Sequence, residues 1–299
     1  MDLSVIVEGV KFKNPVVTAS GPLGFGDEFF KYVYAGKIGG FTTKTVTPKP
    51  IQGNIPPRIL YLENGLLNSI GLQNPGIEKF KEIAASLPRE CVRIISAGGE
   101  KPEDFSEVTR VVDEFADMIE INLSCPNVGG KTIASDFELT KSVLAACRQT
   151  TKKPLIAKIS PDIDPIIQSQ IAIDAGVKIV NIGNSIQGMR INLKTGRPFF
   201  KGIKGGLSGP AFMPLMLWKV YQVKETFPDL SIIGLGGVRN ASDIIEYAMA
   251  GSSLVGVGTQ FMINPSSAVK IVDDLQKKVD GLKMNFTDLI GISHRGGFR

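Results

Sequence analysis

The chain has 299 residues, of which 43% are hydrophobic and 21% charged, so it can bury a large core and disorder is not expected. Its formal net charge is +5, but the basic residues are scattered and no nucleic-acid-binding module is present, so no nucleic-acid partner is predicted. No apolar run reaches the roughly 20 residues that span a bilayer, and the N-terminus lacks a basic start, so we expect a cytoplasmic protein without membrane contact.

Apolar, β-prone runs alternate along the chain with segments of helical periodicity. The predicted strands are residues 15–20, 40–45, 92–97, 118–124, 155–160, 179–184, 231–236 and 254–259. The predicted helices are residues 28–35, 77–86, 102–115, 137–150, 165–175, 212–226, 242–249 and 266–279, with starts near Asp104, Asn240 and Pro265 and end caps at Gly176 and Gly251. This order predicts an α/β fold: one parallel (β/α)8 TIM barrel domain over residues 1–299, with a doubly wound open sheet as the alternative.

Two segments exceed what a minimal barrel needs. Residues 48–71 follow the second predicted strand and are rich in Pro, Gly and Asn. Residues 188–209 follow the sixth and carry several basic side chains. Because both follow the carboxyl ends of strands, we expect them to cover the barrel mouth, where the active sites of such barrels lie.

Polar and small residues stand at the predicted strand ends. They are Ala19, Ser20, Gly21, Lys44, Thr45, Asn122, Lys158, Gly183, Asn184 and Ser185, joined from the first long segment by Asn68, Ser69, Ile70, Gly71 and Leu72. No carboxylate stands at these ends. Within strand 118–124, period-two alternation puts Glu120, Asn122 and Ser124 on one face, which we expect to point into the barrel. Asn122 is then either a ligand-binding residue or a hydrogen-bonded structural amide.

The cysteines and the histidine differ in their surroundings. Cys147 belongs to an apolar helical stripe and is predicted to lie in the core, while Cys91 precedes a strand and has no predicted role. Cys125 follows a polar strand end in a loop, where a thiol can be reached and its ionisation tuned. The only histidine, His294, is interpreted as a surface residue of the tail, which excludes a Ser-His-Asp triad and a multi-histidine zinc site. No metal site is predicted.

Glycines after the last two strands predict an anion site. Gly236 and Gly237 follow one strand, Gly258 and Thr259 follow the next, and a short helix can start after Gly209. Backbone N–H groups in such loops form the usual phosphate grip of these barrels. The alternative is that the glycines only ease tight turns between strands and helices.

Five motifs carry a resemblance to a known family: Phe41-Thr-Thr-Lys44-Thr-Val46, Asn68-Ser-Ile-Gly-Leu-Gln-Asn-Pro75, Asn122-Leu-Ser-Cys-Pro-Asn127, Leu207-Ser-Gly-Pro210 and Gly236-Gly-Val238. They resemble the class 1 dihydroorotate dehydrogenases, most closely the NAD-linked catalytic subunits of class 1B. The similarity extends from about Val7 to Phe261. The motif that contains the cysteine, together with the lysine of the first motif, is specific, whereas the glycine motifs alone are not.

The resemblance implies one FMN per chain and the oxidation of dihydroorotate to orotate in the de novo synthesis of UMP. Cys125 would be the base that removes the C5 proton while the C6 hydride passes to FMN, and Lys44 and Lys158 would assist catalysis. The implied substrate-binding residues are Lys44, Asn68, Ser69, Ile70, Gly71, Leu72, Asn122, Asn127, Asn184 and Ser185. The implied cofactor-binding residues are Ala19, Ser20, Gly21, Lys44, Thr45, Asn122, Lys158, Gly183, Gly209, Gly236, Gly237, Gly258 and Thr259.

The chain departs from the family pattern at a few positions. The segment 128–134 is shorter than in class 1B, Gly183 stands where an apolar side chain is usual, and Ile95 replaces an asparagine. Ser185 replaces a threonine and keeps the hydroxyl group. None of these changes removes the implied base or either lysine.

Class 1B also implies a partner. Electrons would leave through a subunit that carries FAD and a 2Fe-2S cluster, since this chain has too few cysteines for such a cluster. A homodimer, or a heterotetramer with two partner subunits, is the implied assembly. Three other functions stay open: a dihydropyrimidine dehydrogenase acting on uracil-type rings, a flavin-free aldolase with a Schiff base on Lys158, and a non-catalytic binding subunit.

Overall fold

The computed structural model describes residues 1–124 and 132–298. The strands of this part are β1 (Val5–Val7), β2 (Val10–Phe12), β3 (Val16–Thr18), β4 (Gly40–Thr42), β5 (Ile59–Leu62), β6 (Gly65–Asn68), β7 (Val92–Ala97), β8 (Met118–Asn122), β9 (Leu155–Ile159), β10 (Ile179–Ile182), β11 (Ile186–Gly188), β12 (Ile191–Asn192), β13 (Arg197–Pro198), β14 (Gly205–Ser208), β15 (Ser231–Leu235) and β16 (Leu254–Val257). The α-helices are α1 (Gly76–Ala84), α2 (Pro102–Val112), α3 (Phe137–Thr150), α4 (Pro165–Asp174), α5 (Met213–Thr226), α6 (Ala241–Ala250), α7 (Thr259–Ile263), α8 (Ser267–Leu282) and α9 (Phe286–Leu289).

Eight strands form a closed parallel barrel in the order β10-β15-β16-β3-β4-β7-β8-β9. Every residue of β8, β9 and β10 is buried, because the outer faces pack on helices and the inner faces fill the barrel. The closed order confirms the predicted (β/α)8 barrel and excludes the open sheet. All eight carboxyl ends therefore meet at one mouth, which is what positions the site.

The predicted strands each contain one barrel strand, but most end before the predicted limit. Strand 92–97 matches β7, whereas strand 40–45 ends at Thr42 in β4. The chain leaves the ladder near the mouth: Thr43 N–H still donates to the Ile94 carbonyl of the neighbouring strand, but Lys44 N–H donates to the carbonyl of Gly24 in a loop. The apolar, β-prone composition of the segment does not show at which residue the backbone hydrogen bonds pass from the neighbouring strand to a loop.

Seven of the predicted helices are present as α1 to α6 and α8. Asn240 caps α6 as expected, with its side chain accepting hydrogen bonds from Ser242 N–H and Asp243 N–H. Gly176 and Gly251 follow helix ends with φ values of 76° and 122°, which a glycine adopts without strain. Among the described residues, no helix is both long enough and apolar enough to cross a bilayer.

The helix predicted at residues 28–35 is wrong. The segment forms two short 3-10 turns, Phe29–Lys31 and Ala35–Lys37. The backbone is extended at Tyr34 (φ −63°, ψ 124°), which separates the two turns. The first turn is held by aromatic contacts with distant residues: Phe29 stacks on Phe261 at 5.6 Å, and Phe30 meets Phe41 edge-on at 4.9 Å.

One start is confirmed and one local prediction needs correction. Helix α2 begins at Pro102, the first residue of the predicted helix, and Asp104 lies in its first turn, where the carboxylate accepts a hydrogen bond from Glu100 N–H at 3.0 Å. Proline fixes the backbone at the first helical position without wasting a donor. His294 is not simply a surface residue: it is half-buried, stacks on Tyr221 with ring centroids 4.0 Å apart, and lies 3.1 Å from the Ala250 carbonyl oxygen.

The two long segments build a cover over the mouth. Strands β5 and β6 come from the first segment, and β11 and β14 lie in or beside the second; they form one antiparallel sheet in the order β11-β14-β6-β5. The two segments pair directly, with Gly206 opposite Asn68 and Leu207 opposite Leu67. The predicted position over the mouth is confirmed, and the cover is a regular sheet and not a pair of loops.

The substitution Gly183→Ala tests how closely the chain after β10 approaches the end of β15. A Cβ atom there would lie 2.2 Å from the Leu235 carbonyl oxygen, so we expect Gly183→Ala to lower the free energy of unfolding by about 1–3 kcal/mol. Gly281 is the matched control, because it lies in α8 with open space around it, and Gly281→Ala should stabilise by about 0.5–1 kcal/mol. Chemical denaturation of both variants measures the difference; a Gly183→Ala protein as stable as the parent would contradict the close contact.

Candidate active site

A cavity of about 850 Å³ lies at the barrel mouth, between the carboxyl ends of the strands and the covering sheet. This volume is within the range of small-molecule sites. The predicted residues that line it are Ala19, Ser20, Gly21, Lys44, Thr45, Asn68, Ile70, Gly71, Leu72, Asn122, Lys158, Asn184, Ser185, Gly209, Gly236, Gly237, Gly258 and Thr259. Residues that are distant in sequence and were predicted separately are thus brought together around one space.

Two described residues of the predicted set, Ser69 and Gly183, are not among the lining residues. The Ser69 hydroxyl accepts a hydrogen bond from Asn54 Nδ2 at 2.9 Å, which ties it to the covering segment. Gly183 is buried against Leu235, so glycine is needed at this position because a larger residue would collide with Leu235. Cys125 and Asn127 lie outside the described residues.

Asn122 lies at the end of β8, on the inward face that the alternation predicted. Its Nδ2 donates to Thr45 Oγ1 at 2.9 Å, and that oxygen lies 3.0 Å from Ser96 Oγ. Its Oδ1 accepts from Ser124 N–H at 3.3 Å. Asn122 is therefore a buried amide with hydrogen-bond partners on both its nitrogen and its oxygen, and it also lines the cavity. The structural role and the ligand-binding position that the sequence left as alternatives are thus compatible.

Further side-chain amides face the same space from other elements. Asn184 Nδ2 donates to Ser124 Oγ at 2.7 Å, and its Oδ1 accepts from Ser185 N–H at 2.8 Å. Asn68, in the covering sheet, donates to the Gly206 carbonyl at 3.1 Å. A Cβ atom on Gly206 would lie 2.1 Å from Ser185 Oγ, so glycine is what lets the covering sheet approach these groups. The result is a set of neutral, pre-oriented hydrogen-bonding groups.

The two lysines of the cavity have different surroundings. Lys44 follows β4 and is half-buried, and burial lowers its pKa below that of an ordinary lysine, with a smaller contribution from the positive charge of Arg58. Lys158, on β9, has a side chain only 5% exposed, and its Nζ lies 3.9 Å from Glu120 Oε1. The cavity thus presents these two ammonium groups to any anionic ligand, and another basic residue, Arg239, also lines it.

The glycine loops leave backbone donors at the other end of the cavity. Gly236 and Gly237 adopt φ values of 139° and 74°, which other residues rarely reach. The N–H groups of Gly236, Gly237 and Gly258 donate no hydrogen bond to another backbone group in the described part of the chain. Backbone amides that line one cavity without an acceptor among the described residues suit a phosphate group.

Two of the three cysteines are unsuited to proton transfer. Burial raises the pKa of the Cys91 thiol to about 12 and that of Cys147 to about 11, so neither is a thiolate at neutral pH. Both are buried, as predicted for Cys147.

Sequence reasoning missed several lining residues, among them Glu63, Gln73 and Arg239, and two buried residues that support the site from below. Glu120 is 1% exposed and lies inside the barrel beneath Asn122. The alternation in the strand predicted this inward position, but the sequence argument did not go on to ask which cation would accompany a buried carboxylate. Tyr247, on α6, donates from its hydroxyl group to the Gly236 carbonyl at 2.7 Å and so holds the glycine loop. No local pattern distinguishes this tyrosine from an ordinary core residue.

Taken together, the fold and the cavity define a (β/α)8-barrel enzyme with a cationic, amide-lined pocket beside an anion site. A family model described as dihydroorotate dehydrogenase matches residues 2–279. The catalytic subunit of dihydroorotate dehydrogenase B (NAD+) from Pelobacter propionicus is 40% identical over 300 residues, covering 97% of this chain and 98% of the relative. The protein of the same name from Desulforudis audaxviator is 37% identical over 306 residues, covering 98% of each chain.

A solved structure agrees with these matches. The crystal structure of DHODH from Eimeria tenella in complex with ferulenol superposes with a TM-score of 0.83 and 25% sequence identity, covering 98% of this chain and 89% of that one. The chain therefore belongs to the dihydroorotate dehydrogenase family. This confirms the predicted resemblance to class 1B and the predicted activity, an oxidation of dihydroorotate in pyrimidine biosynthesis.

Proposed function

We propose that the chain is the FMN-containing catalytic subunit of an NAD-linked dihydroorotate dehydrogenase, with the whole chain acting as one cofactor-binding domain. The observation that carries the proposal is the single cavity in which Lys44, Lys158 and several side-chain amides face a glycine-built anion site. Such a cavity suits a small, cyclic, anionic substrate beside a phosphate-bearing cofactor.

The residues present fit FMN. The unpaired N–H groups of Gly236, Gly237 and Gly258 would hold its phosphate, and Tyr247 keeps the first of these loops in place. Ser20, Thr45 and Asn122 would face the ring system, and Lys158 would stabilise negative charge there. When bound, the flavin supplies the hydride acceptor that no side chain can supply.

The substrate-binding groups match dihydroorotate in kind. This ring carries two amide-type edges and a carboxylate, and Asn68, Asn122 and Asn184 offer neutral donors and acceptors to such edges. Lys44 offers a positive charge to the carboxylate. Asn127 completes the proposed set by resemblance alone.

Cys125 is the proposed base that removes the C5 proton. The proposal is supported by the family motif and by the raised pKa values of Cys91 and Cys147, which leave Cys125 as the thiol suited to the task. An unperturbed thiol has a pKa near ~8.5, so the reaction should accelerate as the pH rises towards that value.

The proposal includes a partner subunit and a cytosolic location. The relatives are named catalytic subunits, which supports a second subunit for electron transfer to NAD. This chain contains three cysteines, fewer than the four of a 2Fe-2S cluster, so FAD and the cluster would belong to the partner. A homodimer of this chain, alone or within a heterotetramer, is the proposed assembly.

The visible spectrum of the purified protein tests the function directly. We expect a flavin spectrum that bleaches on anaerobic addition of dihydroorotate and does not bleach with dihydrouracil, which lacks the carboxylate. Bleaching by dihydrouracil alone would favour a uracil-type substrate. A colourless protein that cannot be reconstituted with FMN would overturn the proposal, and borohydride trapping of a substrate on Lys158 would then favour an aldolase.

Replacing the proposed base should slow one step only. We expect Cys125→Ala to bind FMN normally but to slow flavin reduction by dihydroorotate by about 10²-fold or more, the usual contribution of a general base. Stopped-flow absorbance measures the rate. Cys91→Ala is the matched control, because that thiol is buried away from the cavity, and its reduction rate should equal the parental rate. A parental rate in Cys125→Ala would remove this residue from the mechanism.

The lowered pKa of Lys44 predicts a pH effect on ligand binding. A lysine with a lowered pKa loses its positive charge at a lower pH than an exposed lysine does, so orotate affinity should decline as the pH rises through that lowered value. Titration of the flavin spectrum with orotate, from neutral to alkaline pH, measures the affinity. Lys44→Arg keeps its charge throughout, so its alkaline decline should be smaller. An equal decline in both proteins would assign the effect to another group.

A further inference from the structure

A pair of opposite charges lies inside the barrel, directly below the cavity. Glu120 on β8 is 1% exposed, and the Lys158 side chain on β9 is 5% exposed. Their closest charged atoms, Glu120 Oε1 and Lys158 Nζ, are 3.9 Å apart. The proposed reaction assigns a role to the lysine but none to the carboxylate.

The strand register explains how the two side chains meet. Asn122 is paired with Lys158 across β8 and β9, and Glu120 lies two residues further from the mouth on the same inward face. Asn181 is paired with Lys158 on its other side, and its Nδ2 donates to Glu120 Oε2 at 2.7 Å. The carboxylate is thus fixed beneath the ammonium group, on the side away from the cavity.

The atom of Glu120 that faces the lysine has no other partner. Both Glu120 Oε1 and Asn181 Oδ1 are buried and accept no hydrogen bond from any described residue. One amide hydrogen bond does not offset the hydration that a buried carboxylate loses, so a nearby positive charge is needed. Within the described part of the chain, Lys158 is the cation within 4.0 Å of this carboxylate.

The separation of the pair is informative. At 3.9 Å the charges attract, but the distance exceeds the roughly 3.2 Å limit of an N–H···O hydrogen bond. The three N–H donors of the ammonium group are therefore not used by Glu120. They stay available to a ligand in the cavity that Lys158 lines.

We propose that Glu120 is a positioning residue for Lys158: its negative charge holds the ammonium group at the floor of the cavity while leaving the N–H donors of that group to the bound cofactor. This inference rests on the proposed function, in which Lys158 stabilises the negative charge that reduction places on FMN. Within the described part of the chain, no other carboxylate lies within 4.0 Å of Lys158 Nζ, so without Glu120 the ammonium group would lose the charge attraction that holds it in place.

The test is the reduction equilibrium of bound FMN in Glu120→Gln. Glutamine keeps the shape and can still accept the hydrogen bond from Asn181, but it carries no charge. We expect the equilibrium constant for two-electron reduction to fall about tenfold, which corresponds to about 30 mV. Anaerobic equilibration with a reference dye at fixed pH measures it without turnover. Glu246→Gln, on the exposed face of α6, is the matched control and should match the parent.

A double-mutant cycle separates this role from a general charge effect. Lys158→Met should lower the reduction equilibrium by more than Glu120→Gln does. In the Lys158→Met background, Glu120→Gln should not lower it again, since there is no ammonium group left to hold. A further drop in that background would contradict the proposal.

Each other outcome is decisive as well. If the reduction equilibrium of FMN is unchanged in Glu120→Gln, the carboxylate is merely structural. If the equilibrium rises, the carboxylate opposes the negative charge of the reduced flavin. Either result overturns the inference but leaves the proposed function intact. A parental protein that binds no FMN would instead overturn the proposed function. If Glu120→Gln does not fold, Asn181→Ser, which loosens the carboxylate but keeps both charges, should lower the equilibrium by less than tenfold, and no change there would overturn the inference.

Discussion

The inward polar face of β8 is the feature on which the site depends. In a closed parallel barrel the interior is packed with side chains, so a polar residue there must be satisfied by another strand or by a ligand. Asn122 donates to Thr45, which follows β4, and Glu120 accepts from Asn181 on β10; both partners lie two strands away from β8 in the barrel. These bonds fix the floor of the cavity before any ligand enters, so the binding groups do not need to be ordered by the ligand.

Much of this arrangement could be predicted from sequence because it depends on two strong periodicities. Buried parallel strands give apolar runs, helices give a 3.6-residue pattern, and their eightfold alternation specifies a barrel whose carboxyl ends share one mouth. The alternation within β8 then separates Asn122 from Ile121 without any structural knowledge. The capping residue Asn240 was equally readable, since its hydrogen bonds are local in sequence.

The remaining features depend on contacts between distant residues. The covering sheet forms because β6 and β14 pair across the mouth, and the sequence of either segment alone does not show which strand it will pair with. The segment expected to be a helix at residues 28–35 instead forms short turns, and its Phe29 and Phe30 rings pack on Phe261 and Phe41 elsewhere in the chain. The small size of Gly183 reflects the approach of Leu235 from the next strand. In each case tertiary packing overrides local propensity, which a single sequence does not report.

The two lysines of the cavity differ in burial and in the charges that surround them. Lys44 is half-buried, and its environment lowers its pKa, so its positive charge is best stabilised when an anionic ligand lies beside it. Lys158 is more deeply buried, yet it has a carboxylate 3.9 Å away, so on our proposal the protein itself holds its ammonium group in place. One cation thus responds to the ligand that comes and goes, whereas the other is maintained by the protein. That division is what a reaction needs when the substrate exchanges in every turnover and the cofactor stays bound.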